Sequence, residues 1–139
     1  MLLFQYNIKV IMFQIPKIIF TKTDETAQVP YRKSASHAGY ILKTVESKII
    51  SEGESLTFDT GLKVEEMIKG VWGMILPIES LSKRHIKAIP FVLENDFKDE
   101  LKITLYNESD ESYYIEAETD IAKLVFMPLL TIEPEIKDE

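Results

Sequence analysis

The residues that could do chemistry in this 139-residue chain are sparse. Its two histidines, His37 and His85, lie far apart in sequence, and neither sits in a metal-ligand spacing. A zinc site or a Ser-His pair needs partners at set positions, and the sequence places none beside them. Both read as surface histidines. With no cysteine, disulfide scaffolds, thiol catalysis and zinc ribbons drop out together. No Gly-rich phosphate loop, HExxH helix or EF-hand loop is present. Trp72 lies inside an apolar run and reads as core or interface packing.

Composition narrows the class further. At 45% apolar and 28% charged, the chain suits one cored domain and does not suit global disorder. The net charge is −7, and its distribution is uneven: residues 1–50 carry seven Lys/Arg against three Asp/Glu, and the remainder nine against twenty. An acidic domain repels phosphate backbones, so non-specific nucleic-acid binding is not expected. Gln5, Asn7, Lys9, Gln14, Pro16 and Lys17 interrupt the apolar start. That excludes an unbroken membrane span or signal core, and the expected location is intracellular. The start reads as an N-terminal extension or strand over residues 1–17, and Met12 is an alternative to Met1 as the natural start. Asn107-Glu108-Ser109 is a formal glycosylation sequon that reads as a hairpin turn.

The elements that must position any site are strands. Leu101, Ile103 and Leu105 alternate with Lys102, Thr104 and Tyr106, as a strand with one wet face should. The polar cluster Asn107 to Ser112 ends that run, and Tyr113-Tyr114-Ile115 resumes it. Further β-like runs are Ile18 to Phe20, Gly39 to Thr44, Ser55 to Phe58, Val71 to Leu76 and Ile121 to Phe126. Gly53, Gly61, Gly70, Pro77 and Pro90 punctuate them. Only Glu79 to His85 reads as a helical turn. Many short strands without a long helical stripe mean an all-β sandwich or barrel over residues 18–130, followed by an acidic tail over 131–139.

Ordered short motifs add a resemblance. Ala38-Gly39-Tyr40-Ile41-Leu42 resembles Ala-Gly-Tyr-Asp-Leu, the first motif of the trimeric dUTP pyrophosphatases. Pro30 to Ala35 precedes it, and Thr60-Gly61-Leu62 matches the Thr-Gly-Leu before the second motif. Pro77-Ile78-Glu79-Ser80-Leu81-Ser82 takes the place of Pro-Arg-Ser-Ser-Leu-Ala. Phe91 to Leu101 is similar to Gly-Val-Ile-Asp-x-Asp-Tyr-Arg-Gly-Glu-Leu, and Asp120 to Val125 to Arg-Ile-Ala-Gln-Leu-Val. The resemblance implies a distorted jelly-roll (β-clip) barrel and a homotrimer with active sites between subunits.

Hydrolysing a nucleoside triphosphate needs neutralised phosphates, a carboxylate to activate water and a pocket that reads base and sugar. In the resembled family Mg²⁺ supplies much of the first; here no cofactor is expected unless the chain is an active enzyme. Ile41 stands at the first motif's Asp, Ile78 at the phosphate-binding Arg and Glu79 at the adjacent Ser. A carboxylate there would repel a triphosphate by about 1–4 kcal/mol at contact. Ser80 keeps a donor. By the same resemblance Glu94 falls at the water-activating Asp, one methylene longer, Phe97 at the Tyr that packs on deoxyribose, and Lys123 at the fourth motif's Gln. Phe91 and Asp99 replace glycines, and the stretch before them is short. The family ends in an Arg- and Gly-rich arm, whereas this sequence has no arginine after Arg84, so the arm is expected to be missing.

The first expectation is therefore a degenerate, catalytically inactive family member serving as a trimeric binding, regulatory or structural protein. Degenerate relatives in large DNA viruses make a viral origin, and a virion or assembly role, part of that expectation. The alternative is an active dUTP diphosphatase or related nucleotide hydrolase. Glu94 would then be the base, Lys123 with Arg32 or Lys33 the phosphate ligands, and Phe97 the sugar platform.

Overall fold

In the computed structural model, residues 16–138 are described, and they are almost entirely β. The early part of the predicted N-terminal strand region lies outside them. Ten strands follow in order: β1 Ile18–Lys22, β2 Tyr40–Lys43, β3 Lys48–Ile50, β4 Ser55–Met67, β5 Val71–Leu76, β6 Ile86–Ala88, β7 Phe91–Leu93, β8 Glu100–Asn107, β9 Tyr113–Ile115 and β10 Asp120–Pro128. One helical turn, α1 Glu79–Ser82, sits between β5 and β6. Two four-stranded sheets, ordered β1-β4-β8-β6 and β2-β10-β5-β7, enclose the core, with β3-β9 as a small third sheet. Every strand pairing within these sheets is antiparallel. This is the all-β fold the resemblance implied.

Alternation decides what each sheet buries. In β8, Leu101, Ile103 and Leu105 are fully buried, while Lys102 and Tyr106 face solvent. They meet Phe58 of β4 on one side, and Leu42, Ile75, Leu93 and Leu124 come from the other sheet. Each such side chain contributes about 1.5–3 kcal/mol relative to exposure. Trp72 is not among them: it is half-buried, and its Nε1 donates to the Pro128 carbonyl at 3.1 Å, fastening β5 to the end of β10.

Two expectations fail here for a local reason. The run Ser55 to Phe58 does not stop at Gly61 but continues to Met67 as a thirteen-residue strand. Gly61 (φ +70°) accommodates a register break between Asp59 and Lys63 instead of ending the strand. A Cβ there would meet Ala27 at 2.9 Å and Asp24 and Val45 at 3.0 Å, so the preceding loop packs directly on the glycine. Beside it Thr60, buried, donates its hydroxyl to the Leu101 carbonyl at 2.6 Å. The segment after Asn107 is likewise not a hairpin turn, because β8 pairs with β4 and β6, while β9 crosses to pair with β3. Asn107 is fully buried at this crossing. Its Nδ2 donates to the carbonyls of Ile50 (3.0 Å) and Glu111 (2.9 Å), and its Oδ1 accepts from Ser109. The sequon asparagine is a structural knot.

Candidate functional site

Three separate parts of the chain meet at one cavity of about 310 Å³. The loop before β2 and β2 itself supply Lys33, His37, Ala38, Gly39 and Ile41; α1 with the residues flanking it supplies Ile78, Glu79, Ser80 and Lys83; and β10 supplies Lys123. Strand register explains part of this meeting. Lys123 lies opposite Ile41 on β2 and opposite Leu76 on β5, so the central strand carries its lysine to the mouth between its neighbours. The lysine stem lies across Gly39, where an added Cβ would meet Lys123 Cδ at 2.9 Å and Val125 Cγ2 at 3.2 Å. The glycine of the first motif is thus the floor on which Lys123 rests.

Ile78 is buried and belongs to the core, so the place of the phosphate-binding Arg is filled by packing. Ile41 is half-buried beside it and packs against that core. Glu79 lines the cavity, as expected of a carboxylate at that place, and is mostly exposed, with Oε1 3.4 Å from the Lys83 ammonium. The i, i+4 spacing across α1 brings the two together as an exposed pair worth about 0.2–0.5 kcal/mol. Lys123 has no hydrogen bond or ion pair among the described residues. His37 is exposed, and its Nδ1 lies 2.7 Å from Ser34 Oγ, which in turn meets Ser36 Oγ at 2.9 Å. The sequence reading missed that partnership, although Ser34 stands only three residues away. His85 is exposed at φ +61°, where α1 hands over to β6. Arg32 lies outside the cavity, 5.5 Å over the Tyr40 ring.

Glu94 and Phe97 are positioned elsewhere on the chain. Glu94 is exposed just beyond β7 and opens a turn in which the Phe97 amide donates to its carbonyl at 3.0 Å. Phe97 is half-buried and lines an open cavity with Ile89, Phe91, Asp99, Glu100, Lys102 and Thr104. Of the four expected site residues, Ser80 and Lys123 therefore share one cavity, and Phe97 lines another. A residue not singled out from the sequence holds the turn. Asn95 donates to the carbonyls of Ile68 (2.8 Å) and Val71 (2.7 Å), tying the Glu94 turn to the β4–β5 connection. An asparagine between two acidic residues carries no sequence signal for that role.

The family-implied Mg²⁺ can be tested against these residues. Mg²⁺ takes oxygen ligands in near-octahedral geometry, usually one or two carboxylates together with substrate phosphates. The cavity lining offers one carboxylate, Glu79, already paired with Lys83. Among the described residues no group of three or more His, Asp or Glu side chains could hold a metal ion. On this chain alone the cavity supplies one carboxylate toward such an ion, and the remaining oxygen ligands would come from substrate phosphates and water.

Next to this site runs a small charged network. Lys43 lies 2.8 Å from Asp120 Oδ1, a close ion pair although off the hydrogen-bond angle, and also donates to the Glu118 carbonyl. Tyr31 donates to Asp120 Oδ2 at 3.2 Å, with the Lys43 ammonium 5.5 Å over its ring. The pairing with Asp120 holds the Lys43 ammonium above its ordinary range. Partial burial, then the Asp120 charge, pushes the Tyr31 phenol up.

Comparison with known proteins agrees with the motif order. The family model for dUTPase matches residues 25–139. A deoxyuridine 5'-triphosphate nucleotidohydrolase of Paramecium bursaria Chlorella virus 1 is 29% identical over 115 residues, covering 82% of this chain and 81% of its own length. The protein of that name from Nautilia profundicola is 30% identical over 120 residues, with 84% of each chain covered. Among solved structures, the Staphylococcus bacteriophage 80alpha dUTPase aligns with a TM-score of 0.79 at 20% identity, over 88% of this chain and 97% of its own. The dUTPase from phage phi11 of S. aureus gives 0.80 at 19%, over 88% and 97%. The two solved structures show a common fold. With the family model spanning most of the chain and the motifs in order along it, this protein belongs to the dUTPase family.

Proposed function

We propose that this chain keeps the dUTPase fold and its self-association while hydrolysis is weak or lost, and that it acts as a trimeric binding, regulatory or structural protein. The observation that carries this reading is the pair Ile41 and Ile78 in the wall of the Lys123 cavity. Catalysis requires groups aimed at charge that develops in the transition state. An isoleucine at either place can neither accept a hydrogen bond nor neutralise a phosphate oxygen. Glu94, the remaining candidate base, is exposed and shares its turn with Phe97. The division of Ser80 and Lys123 from Phe97 on one chain supports sites completed by neighbouring copies. Light scattering should then give about three times the 16.0 kDa chain mass. Incubation with dUTP and Mg²⁺ is expected to release no pyrophosphate above the blank. Turnover that disappears in Glu94→Ala would overturn the loss of hydrolysis.

A second reading is favoured by the comparisons. Two relatives matching more than four-fifths of this chain carry a nucleotidohydrolase's name, and that supports hydrolysis rather than its loss. In this reading Glu94 activates water, Lys123 and Lys33 meet the phosphates, and Phe97 packs on the sugar. A ligand that binds only the folded state raises the melting temperature, so a panel of deoxynucleoside triphosphates with Mg²⁺ should stabilise the protein. An unchanged melting temperature across the panel would count against hydrolysis.

A further inference from the structure

We propose that residues 1–15 of this chain cover the apolar groove beside β1 in the same molecule, and so brace the loop that carries Lys33 and His37. The groove is lined from both main sheets, at their edge strands β1 and β2. It has a volume of about 380 Å³, and its walls include Ile18, Phe20, Val29, Met67, Val71 and Phe126. Lys17 is the one charged residue of the lining, so the groove offers little to a polar ligand. Ile18, Phe20, Val71 and Phe126 pack on the core yet stay only partly buried, and Val29 is 71% exposed. Apolar surface in contact with water is unfavourable in proportion to its area, and a contiguous patch of it marks a place that another apolar surface covers. An apolar cavity of about 150 Å³ takes a benzene-sized ring, so this one takes two large apolar side chains.

The occupant follows from the path of the chain into β1. Pro16 and Lys17 both line the groove, and the Ile68 amide donates to the Lys17 carbonyl at 3.0 Å, so the chain enters the strand along the groove wall. Upstream of that entry, eleven of residues 1–15 are apolar, and the other four are Gln5, Asn7, Lys9 and Gln14. Phe4, Tyr6, Ile8 and Val10 alternate with polar residues, a pattern whose apolar face calls for cover. The segment contains no carboxylate. Ile11 to Ile15 reach about 16–18 Å when extended, enough to cross the groove. The match to the family model begins only at residue 25. The segment is therefore outside what that model describes, and the proposal is independent of whether hydrolysis survives. Pro30 and Tyr40 also line the groove, and they bound the loop that supplies Lys33 and His37 to the other cavity. A segment seated in the groove would hold both ends of that loop.

The chain has no cysteine, so a disulfide trap on the full-length protein reads the contact directly. Ile11→Cys and Phe13→Cys, each combined with Val29→Cys, should oxidise to a cross-link within one 16.0 kDa chain, seen as a shifted monomer band on a non-reducing gel. Val29 is exposed, so these pairs leave the core intact. Phe13→Cys combined with Ile49→Cys, which is exposed on the small third sheet, should stay reduced. As a second measurement, the doubly substituted Ile11→Asp, Phe13→Asp chain should be cut by trypsin after Arg32 and Lys33 several-fold faster, relative to cutting after Arg84. Cross-links that join two chains would put a second copy in the groove and overturn the proposal. So would the absence of a cross-link in both Val29 pairs, equal cross-linking to the Ile49→Cys control, or an unchanged relative rate of tryptic cutting.

Discussion

Lys123 faces Ile41 across the β10–β2 pair, so a cation stands opposite a methyl-bearing side chain at the mouth of the cavity. Strands fix that opposition through their register, and neither side chain could leave it without shifting the whole ladder. The consequence is a lysine whose charge is not answered by its cross-strand neighbour.

Restoring a carboxylate at that place should quench the lysine. In Ile41→Asp the new side chain meets Lys123 directly, and an added like charge disfavours an anion by about 1–4 kcal/mol at contact. Pyrophosphate binding measured in EDTA should fall by at least about fivefold, a change of about 1 kcal/mol. Unchanged affinity would mean that Lys123 does not meet the ligand.

Gly39 should be sensitive for a steric reason. Gly39→Val places carbon against the Lys123 stem and Val125, where even a Cβ comes to 2.9 and 3.2 Å. Overpacking of this kind costs about 1–3 kcal/mol. Thermal unfolding should show that loss, and anion affinity should fall with it because the lysine is displaced. A variant as stable as the parent would show that the stem moves aside freely.

Asn107 should tolerate substitution poorly although it sits in a polar stretch. Asn107→Ala leaves the Ile50 carbonyl without its side-chain donor in a fully buried place. Each such unmet group costs about 1–3 kcal/mol, so chemical denaturation should register a total loss of about 2–4 kcal/mol. Far-UV circular dichroism and the melting profile would check that the loss is one of stability and not of fold.

The Tyr31–Asp120–Lys43 network predicts a loss of stability at alkaline pH. Both Lys43 and Tyr31 hold their protons more tightly in the folded state than at their ordinary values of 10.5 and 10.0. Groups raised in this way contribute stability that is complete below the unfolded value and is lost as pH rises through the folded one. The melting temperature should therefore decline above about pH 10, and the decline should be shallower in Lys43→Met. An equal slope in that variant would remove Lys43 from the account.

What the sequence determined by itself is the fold class and the order of its motifs. Alternation in Leu101, Ile103 and Leu105 specifies a strand with one buried face, because side chains alternate across a pleat whatever lies beyond it. The replacements at Ile41 and Ile78 are legible for the same reason, since chemistry that a side chain lacks cannot be supplied by its position. Other features came only with the tertiary structure. Gly61 reads as a stop in sequence, yet the 23–27 loop packs on it while β4 bulges and continues. Asn107 reads as a turn until Ile50, distant in sequence, supplies its partner. Glu79 reads as an isolated carboxylate until one turn of α1 brings Lys83 beside it at the cavity. Lys123 reads in sequence as a cation at the place of the fourth motif's Gln. Only the pairing of β10 with β2, and the missing side chain of Gly39 beneath it, turn that lysine into the centre of a cavity, because long-range register is set by the packing of the whole sheet.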